Sequence, residues 1–411
     1  MGDVYVEFFS EEALENVMCL LTYKPERVVY LGHKFTMLTR KINSLKKFAK
    51  QVSPDTVLEF IEAPRNDLDA CIEALEGVAE RYPDAYYELT GGGEMFLIAF
   101  GFVSTMKPFK TLRIDPFTSL EVDMDEMGIQ TKQKDIACMT VKNNITLHGG
   151  TLTNQTGNYS VWRFTDDFMK DIRDIWDIAR FLKHKWTRYC ATIEDVLKSF
   201  PVCEDGYYRL PKSTVGDAVE LFNLLNRAGM MKEYKILPKR LEFKFKNDDI
   251  RKIVTKTGNI LELHVYEVAS RKPELFNDEI IGAVIDWNGE KKPEEKEAYA
   301  EQYRMYMNAT YDTINEIDVI LMRGCIPTFI SCKSGKASSN SLHELQTVTH
   351  RFGGIYAKKA LVMAQSCDKS DTGSSFFKQR AKEMDIWVID NVYNMSDEEL
   401  LKRLIKIQGN D

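Results

Sequence analysis

Between residues 4 and 114 short apolar runs alternate with stretches of helical periodicity, and this alternation restricts the possible folds more than any other feature of the chain. Residues 4–9 read as a strand and 11–21 as a helix. Residues 28–31 are the next strand, with helices at 35–52 and 67–79. Then come a strand at 86–89, a helix at 95–105 and a strand at 112–114. Strands separated by helices cannot pair through tight hairpins, so they build a parallel sheet covered on both faces. Ligands of such sheets sit beyond the carboxyl ends of the strands. Three loops therefore become candidates for binding: Phe9-Ser10-Glu11, Gly32-His33 and Thr90-Gly91-Gly92-Gly93. The glycines leave room for a phosphate backbone, and free N–H groups at the start of the next helix favour anions. A tight turn explains the same triplet without a ligand, and Ser10 equally suits a helix N-cap.

At 411 residues, 44% of them hydrophobic, the chain is long enough for two or three domains with real cores. The net charge of −7 does not announce a nucleic-acid binder, so any such binding needs a local basic track. Eight cysteines lie scattered with no CxxC pair, which argues against structural zinc and for free thiols in a reducing compartment. No apolar run reaches the roughly 18–20 residues of a membrane span. Met1-Gly2-Asp3-Val4 runs straight into a strand pattern without a signal-peptide profile, and Val6 stands where a myristoylation signal needs Ser or Thr. The expectation is a cytoplasmic protein.

Residues 151–250 change character. A long amphipathic helix is expected at 166–185, two shorter helices around Gly206-Tyr207-Tyr208, and a strand where Leu241, Phe243 and Phe245 alternate with charged residues. Nine Lys or Arg between 232 and 256, interleaved with Tyr234, Phe243 and Phe245, form a possible nucleic-acid track represented by Lys244 and Lys246. Equally, the aromatics face the core and the lysines are simply solvated. Residues 251–411 resume a mixed α/β pattern, with a charged surface insertion expected at 288–296. The segment at 260–269 fits strand and helix alike.

The last third also gathers the groups that phosphodiester chemistry needs. Glu262, Asp286, Asp318 and Glu344 offer carboxylates of the kind that hold Mg²⁺ or Mn²⁺. Ser331 and Lys333, two apart on an apolar strand, share one face. Asp286 equally just ends a strand and is placed behind the site. His343 and His350 are surface histidines rather than metal ligands.

Helix acid, strand acid and strand lysine in this order resemble the PD-(D/E)xK core of restriction-endonuclease-like enzymes. The wording of GNILELHVYEV, NEIDVILMRGCIPTFISCKSG and LHELQTVTHRFGGIYAKKALV is similar to the ancillary nucleases of type III CRISPR systems. That resemblance covers essentially the whole chain and is strongest over 240–365. It implies an α/β protein with a Rossmann-like CARF sensor at 1–150, a helical, winged-helix-like region at 151–250 and a restriction-endonuclease-like nuclease domain at 251–411. It makes 260–269 a helix carrying Glu262, Asp318 the metal-binding aspartate and Lys333 the catalytic lysine. Ser331 departs from the family by replacing an acid, and Glu344 becomes the candidate migrated carboxylate. Gly93-Glu94 likewise stands where the sensor family has Thr-Lys. The implied activity is Mn²⁺- or Mg²⁺-dependent hydrolysis of single-stranded RNA or DNA, or nicking of supercoiled DNA, by a homodimer activated by cyclic tetra-adenylate. The alternative is a ligand-sensing nucleic-acid binder whose nuclease core no longer cuts.

Overall fold

The computed structural model describes residues 3–125, 128–154, 164–256, 259–287, 314–367 and 373–409. The charged segment 288–296 lies outside them. The first sheet contains β1 (Val4–Phe8), β2 (Arg27–His33), β3 (Val57–Ala63), β4 (Tyr86–Glu88), β5 (Lys110–Ile114), β6 (Leu120–Asp125) and β7 (Gly128–Gln133). Its order is β3-β2-β1-β4-β5-β6-β7, parallel from β3 to β5 and antiparallel beyond. Val6, Phe8, Val29 and Leu31 bury one face with helices Leu68–Arg81 and Glu94–Ser104. Tyr5, Val28 and Tyr30 bury the other.

The expected helix at 11–21 is shorter than its periodicity suggests. Only Glu15–Val17, as a 3-10 turn, and Met18–Thr22 are helical. Ser10 and Asn16 hold the preceding stretch as a loop: Ser10 N–H donates to Asn16 Oδ1 (2.7 Å), and Asn16 Nδ2 donates back to the Ser10 carbonyl (3.0 Å). Side chains that satisfy backbone groups this way compete with helix.

β8 (Thr151–Asn154) lies outside the first sheet and is an edge strand of the last. The middle of the chain then forms helices Asp166–Leu182 and His184–Ser199. They are followed by a small antiparallel sheet of β9 (Tyr208–Pro211), β10 (Met231–Ile236) and β11 (Arg240–Phe245), in the order β10-β11-β9. The single helix expected at 166–185 is two, broken at Lys183, whose φ of 49° no α-helix tolerates.

The last sheet contains β12 (Asp278–Asp286), β13 (Ile314–Arg323), β14 (Ile326–Lys333), β15 (Lys358–Met363) and β16 (Ile386–Ile389), in the order β16-β15-β14-β13-β12-β8. Helix Asn259–Ser270 occupies the ambiguous segment. It is buried nearly all round, lying between helix Asp166–Leu182 and the sheet, so its apolar residues follow no single stripe. One core joins Trp176, Trp186 and Phe243 to Leu261, Val265, Val319, Ile330 and Val362. A second joins Tyr5, Phe9 and Tyr30 of the first sheet's layer to Ile320, Phe329, Phe352 and Leu361. No helix among the described residues is long and apolar enough to cross a membrane.

Candidate functional site

Midway along β13 the two-residue alternation of a strand fails. Ile317 packs in the core shared with the N-terminal sheet and Val319 in the opposite one, although residues two apart on a strand share a face. The irregularity falls opposite Gly282, whose φ of 57° suits glycine. The β12–β13 register passes from Ile281↔Val319 to Ala283↔Ile317 without a 282–318 pair. Asp318 sits at this kink. Its Oδ2 accepts the Cys332 backbone N–H at 2.6 Å and the Ser331 hydroxyl at 3.2 Å, closing the β13–β14 ladder with a side chain.

Glu262 projects from the first turn of helix Asn259–Ser270, which packs on the face carrying Val319 and Ile330. Burial, then the fields of Asp318 and Glu316, push its carboxyl up to about 8, against the opposing charges of Lys333 and Lys256. Burial also raises Asp318, against its bonds from Cys332 and Ser331 and the charge of Lys333. Asp318 is thus bonded to Ser331, and the charges of Asp318 and Lys333 reach Glu262. Two carboxylates crowded out of water beside one ammonium group are a site where a further positive charge is favourable.

Glu344 does not join them. It is exposed on helix Ser339–Gly353, which buries Leu342, Leu345, Val348 and Phe352, and among the described residues no bond or charge ties it to Glu262, Asp318 or Lys333. Glu316 is the further acid whose charge reaches Glu262. Asp286 lies four residues beyond Gly282, roughly 13 Å along the strand, and His343 and His350 are exposed. Among the described residues no three His, Cys, Asp or Glu side chains form one ligand group. Two carboxylates suit a hard ion that keeps several waters, while burial and the charges of Asp318 and Glu262 hold the neighbouring Cys332 thiol well above its ordinary range.

Lys246 also serves differently from expectation. Its ammonium bonds both oxygens of the nearly buried Asp171 at 2.6 Å, tying β11 to helix Asp166–Leu182. Lys244 lies 3.6 Å from Glu233 and over the Tyr207 ring. Phe243 and Phe245 are inside, while Arg240, Arg251 and Lys252 are paired with Glu242 and Asp248. Five of the nine cations of this stretch, Arg240, Lys244, Lys246, Arg251 and Lys252, are thus paired with acids on folding.

At the other end of the molecule the three loops predicted from the parallel strands do converge. A Cβ at Gly91 would strike Ser10 and Glu15, at Gly92 the Phe8 Cβ (2.5 Å), at Gly93 the His33 ring (3.0 Å), and at Gly32 the Phe9 Cβ (2.7 Å). Not every side chain faces the shared surface. Phe9 is a core residue, edge-on to Tyr30, and His33 is buried with Nδ1 3.1 Å from the Ala63 carbonyl. Glu11 is exposed, and Thr90 with the glycines is partly so.

Sequence reasoning missed what supports these loops. Glu7 and Glu88 are register partners at the centre of the sheet, each 1% exposed. Burial pushes Glu7 up to about 7 and Glu88 well above the ordinary carboxyl range. Glu88 accepts the Thr90 hydroxyl and the Thr90 N–H (3.0 Å), fixing the start of the glycine loop. An acid inside each of the apolar runs VYVEFF and YYEL was the available signal.

Also unforeseen is a link to the C-terminal third. The Ser10 hydroxyl donates to Glu15 Oε2 (2.5 Å), while Glu15 Oε1 accepts the Tyr356 hydroxyl (2.6 Å) and Glu12 Oε2 accepts the Ile355 N–H (3.0 Å).

No family model matches the sequence, and no curated protein does. The fold has solved counterparts along its full length. Protein VC1899 from Vibrio cholerae aligns over 100% of this chain and 99% of its own, with TM-score 0.75 and 14% identity. Can2 from Sulfobacillus thermosulfidooxidans, solved in complex with cyclic tetra-adenylate, aligns over 99% of this chain and 100% of its own, with TM-score 0.69 and 16% identity. The chain has the fold of these proteins.

Proposed function

We propose that this chain is a divalent-metal-dependent nuclease of type III CRISPR defence that cyclic tetra-adenylate switches on. Its three parts would be a CARF sensor at 1–150, a helical middle region and a PD-(D/E)xK-like domain. The observation that carries the reading is the pair of buried acids, Glu262 and Asp318, each under the charge of Lys333, with Asp318 held by Cys332 at the interruption midway along β13. The fold shared with Can2, solved with its cyclic nucleotide, supports the sensor half.

In this reading Glu262 and the free oxygen of Asp318 hold Mn²⁺ or Mg²⁺, which when bound polarises phosphate and acidifies water. Cys332 N–H and the Ser331 hydroxyl fix the Asp318 carboxylate, so Ser331 orients an acid instead of supplying one. Lys333 places its ammonium against the charge that develops on the phosphate oxygens. At the far end, the Thr90–Gly93 backbone and the Ser10 loop receive the phosphates and sugars of the ring. Leu97, Ile98, Phe102 and Met106 are exposed along and just beyond the helix that follows the glycines. Such an apolar stripe suits a two-fold contact between copies, which a symmetric cyclic ligand would bridge.

The second reading, a sensor that binds nucleic acid without cutting it, draws on Ser331 and on a site with two close carboxylates rather than three. Incubating purified protein and Mn²⁺ with labelled single-stranded RNA, single-stranded DNA or supercoiled plasmid, with and without cyclic tetra-adenylate, separates the two. Activator-dependent products that vanish in Lys333→Ala are expected. Binding without turnover on every substrate would establish the alternative.

A further inference from the structure

Immediately beyond Lys333 the surface opens into a cleft of about 1070 Å³ that the catalytic residues do not use. One side is the loop from Gly335 to Ser339, which begins two residues past Lys333 and therefore within roughly 7 Å of it along the chain. The second side is helix Gly373–Glu383, and the third is the junction of the two long middle-region helices at Lys183-His184.

The cleft is lined by Lys183 and Arg380, with His184 beside them, and by the carboxylate of Glu383. Among the described residues both of those cations are oriented by neutral partners. Lys183 Nζ donates to Asn394 Oδ1 at 2.7 Å, and Arg380 donates to the Ser339 hydroxyl at 3.2 Å. Lys183 and Asn391 both have positive φ, 49° and 63°. Backbone conformations costly to residues with a Cβ thus cluster on this cleft's wall, as they do at ligand sites. Phe376, 70% exposed, presents an aromatic ring at the same wall, and Gln365, Asn391 and Asn394 supply amides.

Cations held by neutral partners, one open aromatic ring and several amides are the groups that bind a nucleotide's phosphate, base face and base edge. We propose that this cleft is a subsite for the substrate strand and takes the nucleotide next to the scissile phosphate. Lys183 and Arg380 hold its phosphates, and Phe376 stacks on its base. The proposal rests on the nuclease reading and adds to it the path of the strand, away from the basic stretch at 232–256.

The test is binding rather than turnover. Fluorescence anisotropy of a labelled single-stranded oligonucleotide, in separate RNA and DNA arms with chelator present, is compared for wild type, Lys183→Ala/Arg380→Ala and Phe376→Ser. The double variant should bind at least roughly tenfold more weakly at 0.1 M salt, with a log–log salt slope shallower by about 1.4, two phosphate contacts' worth for a single strand. Phe376→Ser should weaken binding about fivefold or more with the slope unchanged. The arm that shows these losses identifies the strand the cleft takes. Thermal midpoints and cyclic tetra-adenylate binding report whether each variant is folded, and Arg380→Lys, which keeps the charge, should restore the slope. Wild-type affinity and slope in folded variants overturn the subsite alone. A wild type that neither binds nor cuts either strand overturns the nuclease reading and the subsite with it.

Discussion

At the scale of single residues, the kink that seats Asp318 depends on Gly282. Gly282→Ala should cost about 1–2 kcal/mol, the penalty of a side chain at positive φ, seen as a lower thermal midpoint, and should reduce cutting further by shifting Asp318. Lys333→Ala should lower activator-stimulated cutting by roughly 100-fold or more, the size of one lost electrostatic stabiliser, while cyclic tetra-adenylate binding stays constant in calorimetry. His264 offers a pH test away from the site. Burial, opposed by Asp397 and reinforced by Arg271 and Arg180, holds its imidazole down to about 3, and it stacks on Trp176. The folded ring stays neutral where the unfolded chain protonates it, below about 6.5. Its contribution is therefore whole above about 6.5 and is lost as pH falls toward 3. Replacing it, His264→Phe, should flatten the acid side of the stability profile, with the midpoint difference from wild type growing between pH 7 and pH 4. Glu262, Asp318 and Lys333 were singled out by the order of helix acid, strand acid and strand lysine and by the resemblance that order carries, not by periodicity, which is ambiguous around Glu262 and fails at Asp318. Glu344 shows what the sequence leaves open: it reveals that a residue is helical but not whether its side chain will face solvent, as this one does.

At the scale of elements, most strands and helices were readable, and the misses have physical causes. The break at Lys183 was invisible because the apolar spacing runs on through it. The helix at 259–270 was ambiguous because it is buried from several directions. The strands β3, β6, β7 and β10 went unrecognised because their burial is partial or their residues largely polar, so no clean alternation marks them. Lys246 illustrates the limit of counting charge: its partner Asp171 is 75 residues away. Lys246→Met should destabilise the fold by about 2 kcal/mol or more, because it leaves a nearly buried carboxylate unpaired, and chemical denaturation measures it. The helix Glu94–Ser104 makes a separate prediction. On the proposed two-fold contact, Ile98→Asp/Phe102→Asp should leave a folded monomer in sedimentation velocity and abolish activation by cyclic tetra-adenylate, and an unchanged mass would overturn that contact.

At the scale of the whole molecule, the Ser10–Glu15–Tyr356 and Glu12–Ile355 bonds join the glycine-loop end of the first sheet to the segment between helix Ser339–Gly353 and β15. Glu15→Gln/Tyr356→Phe should keep cyclic tetra-adenylate affinity within about threefold but cut the fold-activation by roughly tenfold, about 1.4 kcal/mol of coupling. Equal activation in this variant would show that the bonds are mere glue.

The core shared by the first and last sheets has a mechanical consequence. Because Tyr5, Phe9 and Tyr30 are packed in one continuous apolar interior with Phe329, Phe352 and Leu361, the two ends of a subunit cannot swing apart on a tether without exposing that interior to water. In the proposed function, a message from ring to phosphate would pass through small displacements of a stiff body, or through how two such bodies lean on each other. Heating should accordingly melt both ends together.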